Sequence, residues 1–222
     1  MAEKLSSEIK KSEIRHIAIE GVIGAGKTSL ALRLAEKLNG KTILEQFEEN
    51  PFLEKFYEDP ERFAFQTQIF FLLSRYRQLQ ALYQVDLFQQ YLITDYIFEK
   101  DKIFAYLNLA DDELKLYETV ASSIEHSVPT PDIVVYIQCS VDRLMENIKK
   151  RGREMEKKVS EEYIKELNEA YNYFFFRYKG APLLIVNASQ IDFINNKQHF
   201  EDLVTEIFRP NKAPVEYYNP FK

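Results

Sequence analysis

The sequence predicts an α/β fold: a single domain, residues 1–222, built on a five-stranded parallel sheet with helices on both faces. Three observations carry that expectation. Short apolar runs alternate with longer segments of helical periodicity along most of the chain. The clearest run, DIVVYIQ at 132–138, is β-branched and follows the breakers Pro129 and Pro131. The first run passes straight into a glycine-rich loop, GVIGAGKT at 21–28, which opens a helix and holds three of the chain's six glycines.

Taken in order, Ile14 to Glu20 reads as the first strand. After the loop, Ala31, Leu34, Ala35 and Leu38 recur at helical spacing until Asn39-Gly40 stops the helix. Thr42 to Leu44 is the second strand. Pro60 opens a long helical pattern that runs to about Gln84. Tyr91 to Thr94 is the third strand, followed by helical stretches at about 100–108 and 111–126. The run at 132–138 is the fourth strand. A helix from about Val141 leads into the charged KKRGREMEKK, and another covers Ser160 to about Tyr178. Gly180 and Pro182 precede the fifth strand, LLIVNA, and an amphipathic helix covers about 197–208. The first dozen residues are expected to be mobile, and the tail NKAPVEYYNPFK from 211 carries no readable motif.

Composition narrows the class. Hydrophobic residues make up 45% and charged residues 29%, as in a soluble globular chain. A net charge of -6 argues against non-specific nucleic-acid binding, yet leaves room for a basic pocket around one phosphorylated ligand. The lone Cys139 excludes an intramolecular disulfide and fits a reducing compartment. His16, His126 and His199 are scattered, without metal-cluster spacing. No apolar run reaches membrane-spanning length, and the opening MAEKLSSEIKK lacks the apolar core of a secretion signal. A cytoplasmic protein without membrane or nucleic-acid partner is expected. The aromatic run YNYFFFRY at 171–178 reads as packing in a core or subunit interface.

The loop matches G-x-x-x-x-G-K-[ST] at Gly21, Gly26, Lys27 and Thr28. Such a loop turns backbone N–H groups inward around phosphate oxygens, and the helix behind it points its positive end at the same anion. The nucleotide site therefore comprises Gly21, Val22, Ile23, Gly24, Ala25, Gly26, Lys27 and Thr28. Lys27 reaches the β- and γ-phosphates of a nucleoside triphosphate, and Thr28 offers a hydroxyl to Mg²⁺. No guanine-reading N-K-x-D and no strand ending in D-E is present. Instead the second and third strands run to Glu45 and Asp95, at the carboxyl edge where open α/β sheets bind ligands. One of the two suits a base for a hydroxyl acceptor, the other a metal ligand. Gln68 and Arg75, two helical turns apart with Phe71 between them, suit a flat polar heterocycle; the same spacing also describes a solvated helix edge. RGREMEKK at 151–158 suits a closing lid that brings arginines to a triphosphate, or a solvated charged loop.

Several ordered segments resemble one family. They are GVIGAGKT, LEQFEENPFLEKFY at 44–57, PERFAFQTQIFFLLSR at 60–75, DYIFEKDKIF at 95–104 and RGREMEKKVSEEY at 151–163. Together they are similar to the deoxynucleoside kinases, which include deoxycytidine, deoxyguanosine and deoxyadenosine kinases, and most to the bacterial deoxyadenosine/deoxyguanosine branch. The resemblance spans Ile14 to the last helix and implies a P-loop kinase fold with an arginine-bearing lid. It implies that Glu45 accepts the proton of the nucleoside 5′-hydroxyl, and that Tyr57 and Glu156 hold the sugar 3′-hydroxyl. Gln68 would read the base edge with Arg75 and Asp101 beside it, and Phe104 would stack on the base. Arg151 and Arg153 match lid arginines that act with Lys27 on the phosphates. Asp192 and Phe193 match the segment bordering the adenine of ATP. Asp95 would join Thr28 on Mg²⁺.

Two departures stand out. Asp95-Tyr96-Ile97 replaces the family's usual Glu-Arg-Ser, so a lid arginine or Lys27 is expected to carry the charge of the absent guanidinium. Asn147 stands where some relatives have a further lid arginine. The Arg75–Asp101 pair, presenting donors and acceptors together, favours purine deoxynucleosides, permits deoxycytidine and disfavours thymidine. Long paired helices in the family imply a homodimer. The competing readings are a nucleoside monophosphate kinase of the thymidylate kinase type, with Arg75 on the acceptor's phosphate, and a nucleotide-binding regulatory subunit with little turnover.

Overall fold

The computed structural model describes residue 9 and residues 12–80, 90–189, 191–210 and 213–220. The expected mobility of the first dozen residues therefore falls largely outside the described residues, as does the long helix beyond 80.

Strand β1, His16–Gly21, is flanked on both sides and is apolar on both faces, with Ile17, Ala18 and Ile19 wholly buried. That two-sided burial is what a parallel sheet under two helical layers requires. Helix α1, Lys27–Leu38, lays Leu30, Ala31 and Leu34 on the sheet and ends at Asn39 in the left-handed conformation. Strand β2 is Lys41–Ile43. A single 3-10 turn, Phe47–Glu49, and the short helix α2, Leu53–Glu58, then lead to the long helix α3, Pro60–Gln80. Strand β3 is Leu92–Thr94, helix α4 Lys100–Asn108 and helix α5 Asp111–Glu125. Strand β4, Ile133–Gln138, precedes helix α6, Val141–Arg151, whose cap Ser140 accepts the Arg143 N–H. A 3-10 turn at Glu154–Lys158 joins α6 to helix α7, Glu161–Arg177. Strand β5 is Leu183–Asn187 and helix α8 Lys197–Phe208, capped by the Asn196 side chain.

The sheet is parallel throughout, in the order β2-β3-β1-β4-β5-β6. Among the described residues it has six strands, where the sequence predicts five. The sixth, β6, is Val215–Tyr218 in the tail, paired from Leu183↔Val215 to Val186↔Tyr218. Its short alternation stands between Pro214 and Pro220, which disguise it as coil. An edge strand tolerates such flanks, and the Pro214 carbonyl accepts the Leu183 N–H at 2.9 Å.

The aromatic run at 171–178 divides by helical face. Tyr171 and Phe175 are buried, and Phe175 stacks on Tyr136 of β4 at 4.3 Å between centroids, while Tyr173 and Phe176 face outward. The strand order places β1 between β3 and β4, so the carboxyl ends of β1, β2 and β3 open on one edge. The loop at 21–28 and residues 45 and 95 lie there.

Candidate active site

The glycine loop is held in shape by its surroundings. Gly24 has φ of +88°, and a Cβ there would lie 2.7 Å from the Leu144 carbonyl oxygen. Only glycine meets both demands. Asn147 Nδ2 donates to the Gly24 carbonyl at 2.8 Å and ties α6 to the loop. Lys27 Nζ donates to the carbonyls of Gly21 at 2.8 Å and Val22 at 3.2 Å. Burial, and next the nearby charge of Lys100, bring the Lys27 ammonium down to about 8. Of the eight motif residues, Ile23, Gly24, Ala25, Gly26, Lys27 and Thr28 line the cavities beside the loop. Gly21 and Val22 do not; they supply carbonyls to Lys27, and the Val22 side chain is in the core.

On the side of the loop facing α3 lies a cavity of about 390 Å³. Asp95 links it to the loop: Oδ2 accepts the Thr28 hydroxyl at 2.5 Å, and Oδ1 accepts the Glu45 N–H at 2.8 Å. Glu45 in turn has a cation on each oxygen. Arg75 Nε donates to Oε1 at 2.9 Å, and Lys100 Nζ to Oε2 at 2.7 Å. Burial acts to raise the Glu45 pKa, but the charges of Lys100 and Arg75 outweigh it and hold the carboxyl well below the usual range. Beneath them, the fully buried Glu20 accepts N–H groups from Gly21 at 3.1 Å and Ile97 at 2.9 Å, and burial pushes its pKa up.

Gln68, Tyr57, Phe104 and Glu156 line the same cavity. Asp101 does not. It stands behind Arg75, with its carboxylate accepting from Arg75 and from the Tyr117 hydroxyl, and its backbone carbonyl accepting Gln68 Nε2 at 2.8 Å. Its effect on the cavity therefore passes through Arg75 and Gln68. Arg151 and Arg153 both bond the Glu156 carboxylate, Arg151 Nε at 3.1 Å and Arg153 at 3.5 Å, and Arg153 lies 4.1 Å over the Phe47 ring.

Across the loop is a second cavity of about 740 Å³, bordered by Asp192 and Phe193. Arg33 of α1 holds that border by donating to the Phe193 and Ile194 carbonyls, each at 2.6 Å. Arg151 and Arg153 line both cavities and so stand between them.

Among the wall residues that the sequence left unmarked are Lys100 and Thr67. Lys100 is one helical turn before Phe104, so a face that carries Phe104 inward carries Lys100 with it. Thr67 is 4% exposed, and its hydroxyl has no hydrogen-bond partner among the described residues. Only its neighbour Gln68 gave a signal for it. Tyr96, which follows Asp95, is fully buried and donates its hydroxyl to Gln78 at 2.7 Å, so it brings no charge to the site.

Among the described residues no helix is long and apolar enough to cross a membrane, and no group of three or more His, Cys, Asp or Glu side chains is placed to hold a metal ion.

Two cavities that meet across a phosphate loop, with arginines reaching into both, suit the passage of a phosphoryl group between molecules held on either side. With the parallel sheet, they define a P-loop kinase fold. The chain belongs to the deoxynucleoside kinase family, whose model matches residues 17–210. It is 36% identical over 196 residues to a deoxyguanosine kinase of Bacillus subtilis, covering 86% of this chain and 95% of that protein. It is 35% identical over 189 residues to a deoxyadenosine kinase of Dictyostelium discoideum, covering 82% and 75%. Among solved structures, deoxyadenosine kinase from M. mycoides with bound dATP superposes with a TM-score of 0.76 at 28% identity, covering 87% of this chain and 98% of that one. Strand β6 lies beyond the matched residues.

Proposed function

We propose that this protein transfers the γ-phosphate of ATP to the 5′-hydroxyl of a deoxynucleoside, purines before deoxycytidine and thymidine last, in cytoplasmic nucleotide salvage. The observation that carries this reading is Glu45: a buried carboxylate in the wall of the 390 Å³ cavity, joined to the phosphate loop through Asp95 and Thr28. ATP occupies the 740 Å³ side, with its adenine against Asp192 and Phe193 and its phosphates in the loop. The deoxynucleoside occupies the other side. Phe104 stacks on its base, Gln68 and Arg75 read the base edge, and Tyr57 with Glu156 takes the 3′-hydroxyl.

The 5′ O–H bond breaks and Glu45 takes the proton. The freed oxygen bonds the γ-phosphorus as the bond to the bridging oxygen breaks, and that electron pair leaves on the β-phosphate of ADP. A well-placed base contributes about 10²–10⁴-fold, and Glu45, whose pKa Lys100 and Arg75 hold low, stands toward the lower end of that range. Lys27, Arg151 and Arg153 contribute through charge, because the transition state is loose and spread over phosphate oxygens. Thr28 Oγ1 and Asp95 Oδ2, 2.5 Å apart, are hard oxygen donors that fit Mg²⁺. That ion would supply further neutralisation of the triphosphate.

Base choice follows from the wall. Gln68 gives its amide N–H to the Asp101 carbonyl, which leaves its oxygen to accept from a base N–H or exocyclic amine. Arg75 offers donors to ring nitrogens or a guanine carbonyl. The two relatives above, named for deoxyguanosine and deoxyadenosine, support a purine. The monophosphate kinase alternative is not favoured, since the charge of Arg75 is already balanced by Glu45 and Asp101, which leaves no unpaired cation there for an acceptor phosphate. The regulatory alternative leaves the paired Glu45 without a use.

The test is ADP formation by the purified protein with each of the four deoxynucleosides. Acceptor-dependent ADP is expected with purines, and its loss in Glu45→Gln. Thymidine as best acceptor, or full turnover in that variant, overturns the assignment. A homodimer through α3 and α5, which expose Leu73 and Leu116, belongs to the same proposal.

A further inference from the structure

The strongest unassigned feature is the ammonium beside Glu45 in the wall of the acceptor cavity. Lys100 stands in the first turn of α4 with its side chain only 4% exposed, a burial that lysine seldom accepts. Its Nζ bonds Glu45 Oε2 at 2.7 Å, lies 5.8 Å from the Phe104 ring centroid, and lines the acceptor cavity.

We propose that Lys100 is a positioning residue for phosphoryl transfer, holding the second oxygen of Glu45 so that the carboxylate keeps a free edge toward the acceptor hydroxyl. The proposal rests on the kinase reading above. Arg75 directs both Nε and Nη2 at one oxygen, Oε1. A guanidinium and a carboxylate left to themselves pair as a two-pronged fork, one N–H to each oxygen. In this site Lys100 occupies Oε2 and prevents that fork. Arg75 cannot yield instead, because Asp101 grips its other nitrogen and Tyr117 grips Asp101 at 3.1 Å. Among the described residues no other side chain holds Oε2, and Tyr96, two residues past β3, is uncharged and bonded to Gln78.

Lys100→Met then lets Glu45 turn onto Arg75, and its proton-accepting edge leaves the line of the 5′-oxygen. Misplacement on the ångström scale costs about 10²-fold in turnover. The expected result is a fall of that order in kcat with the nucleoside KM little changed. Lys100→Arg, which can still bond Oε2, recovers much of the loss. Adding Lys100→Met to Glu45→Gln slows the reaction no further, because the two residues act as a unit. A kcat equal to wild type, a change confined to KM, or losses that multiply in full overturns the proposal. If Lys100→Met does not fold, Lys100→Leu carries the same comparisons.

A crystal structure of the folded apolar variant separates this claim from the kinase reading. Glu45 forked on Arg75 is the expected result, and Glu45 unmoved overturns the positioning role. Wild-type protein without acceptor-dependent ADP would sink the kinase reading alone.

Discussion

Gly24 carries the shape of the phosphate loop on the absence of a side chain. Its φ of +88° and the Leu144 carbonyl oxygen, 2.7 Å from an added Cβ, leave room for nothing larger. Gly24→Ala should cost about 1–3 kcal/mol from backbone strain alone. Thermal unfolding would then come roughly 2–12 °C earlier for a chain of this size. ATP affinity should fall with it, since α6 has to shift; an unchanged melting curve and an unchanged ATP titration would contradict the argument. Arg75 is the second test at this scale. It is the cation between Glu45 and Asp101, and Arg75→Met leaves both carboxylates short of a buried partner. Removing one member of such a cluster costs about 3–5 kcal/mol, so urea unfolding should show that loss. Arg75→Lys should recover little, because an ammonium lacks the planar spread of N–H groups that lets Arg75 hold Glu45 on one side and Asp101 on the other.

At the scale of the element, β1 brings a histidine into the sheet. Burial lowers the His16 pKa to about 4, against a weaker raising pull from Asp132. The folded pKa lies below the unfolded value of about 6.5, so the folded state prefers neutral imidazole. His16 therefore gives its full stability above about pH 6.5 and loses it as pH falls through about 4. Urea midpoints measured from pH 7 to pH 4 should decline, and His16→Gln should flatten part of that decline. Equal slopes in the two proteins would remove His16 from the account. The neighbouring contacts explain why the ring stays inside: Nε2 lies 3.2 Å from the Thr94 hydroxyl of β3, and the Asp132 carboxylate accepts the His16 backbone N–H at 2.8 Å.

Over the whole molecule the charge is -6, yet Lys27, Lys100, Arg75, Arg151 and Arg153 converge on the cavities. An acidic surface with a basic cleft repels long polyanions and still attracts one triphosphate into the site. The outer faces of α3 and α5 expose Leu73 and Leu116 at 38% and 53%. Sedimentation at micromolar concentration should give twice the chain mass, and Leu116→Glu should halve it. A wild-type monomer would refute the proposed pairing.

By itself the sequence determined the alternation of strands and helices, the glycine loop, and the two carboxylates at strand ends. Each of these is written in local spacing: β-branched runs, breakers, helical periodicity and a fixed motif. The sequence also marked Gln68 and Arg75 as neighbours on one helical face. Tertiary structure alone decided that Lys100 meets Glu45 across 55 residues, and that Asp101 stands behind Arg75 rather than in the cavity wall. It also decided that the tail completes the sheet as a sixth strand. Those outcomes depend on strand register and on how α3 packs against α4. They are settled by the burial of charge and by backbone pairing between segments far apart, and local spacing carries no record of either.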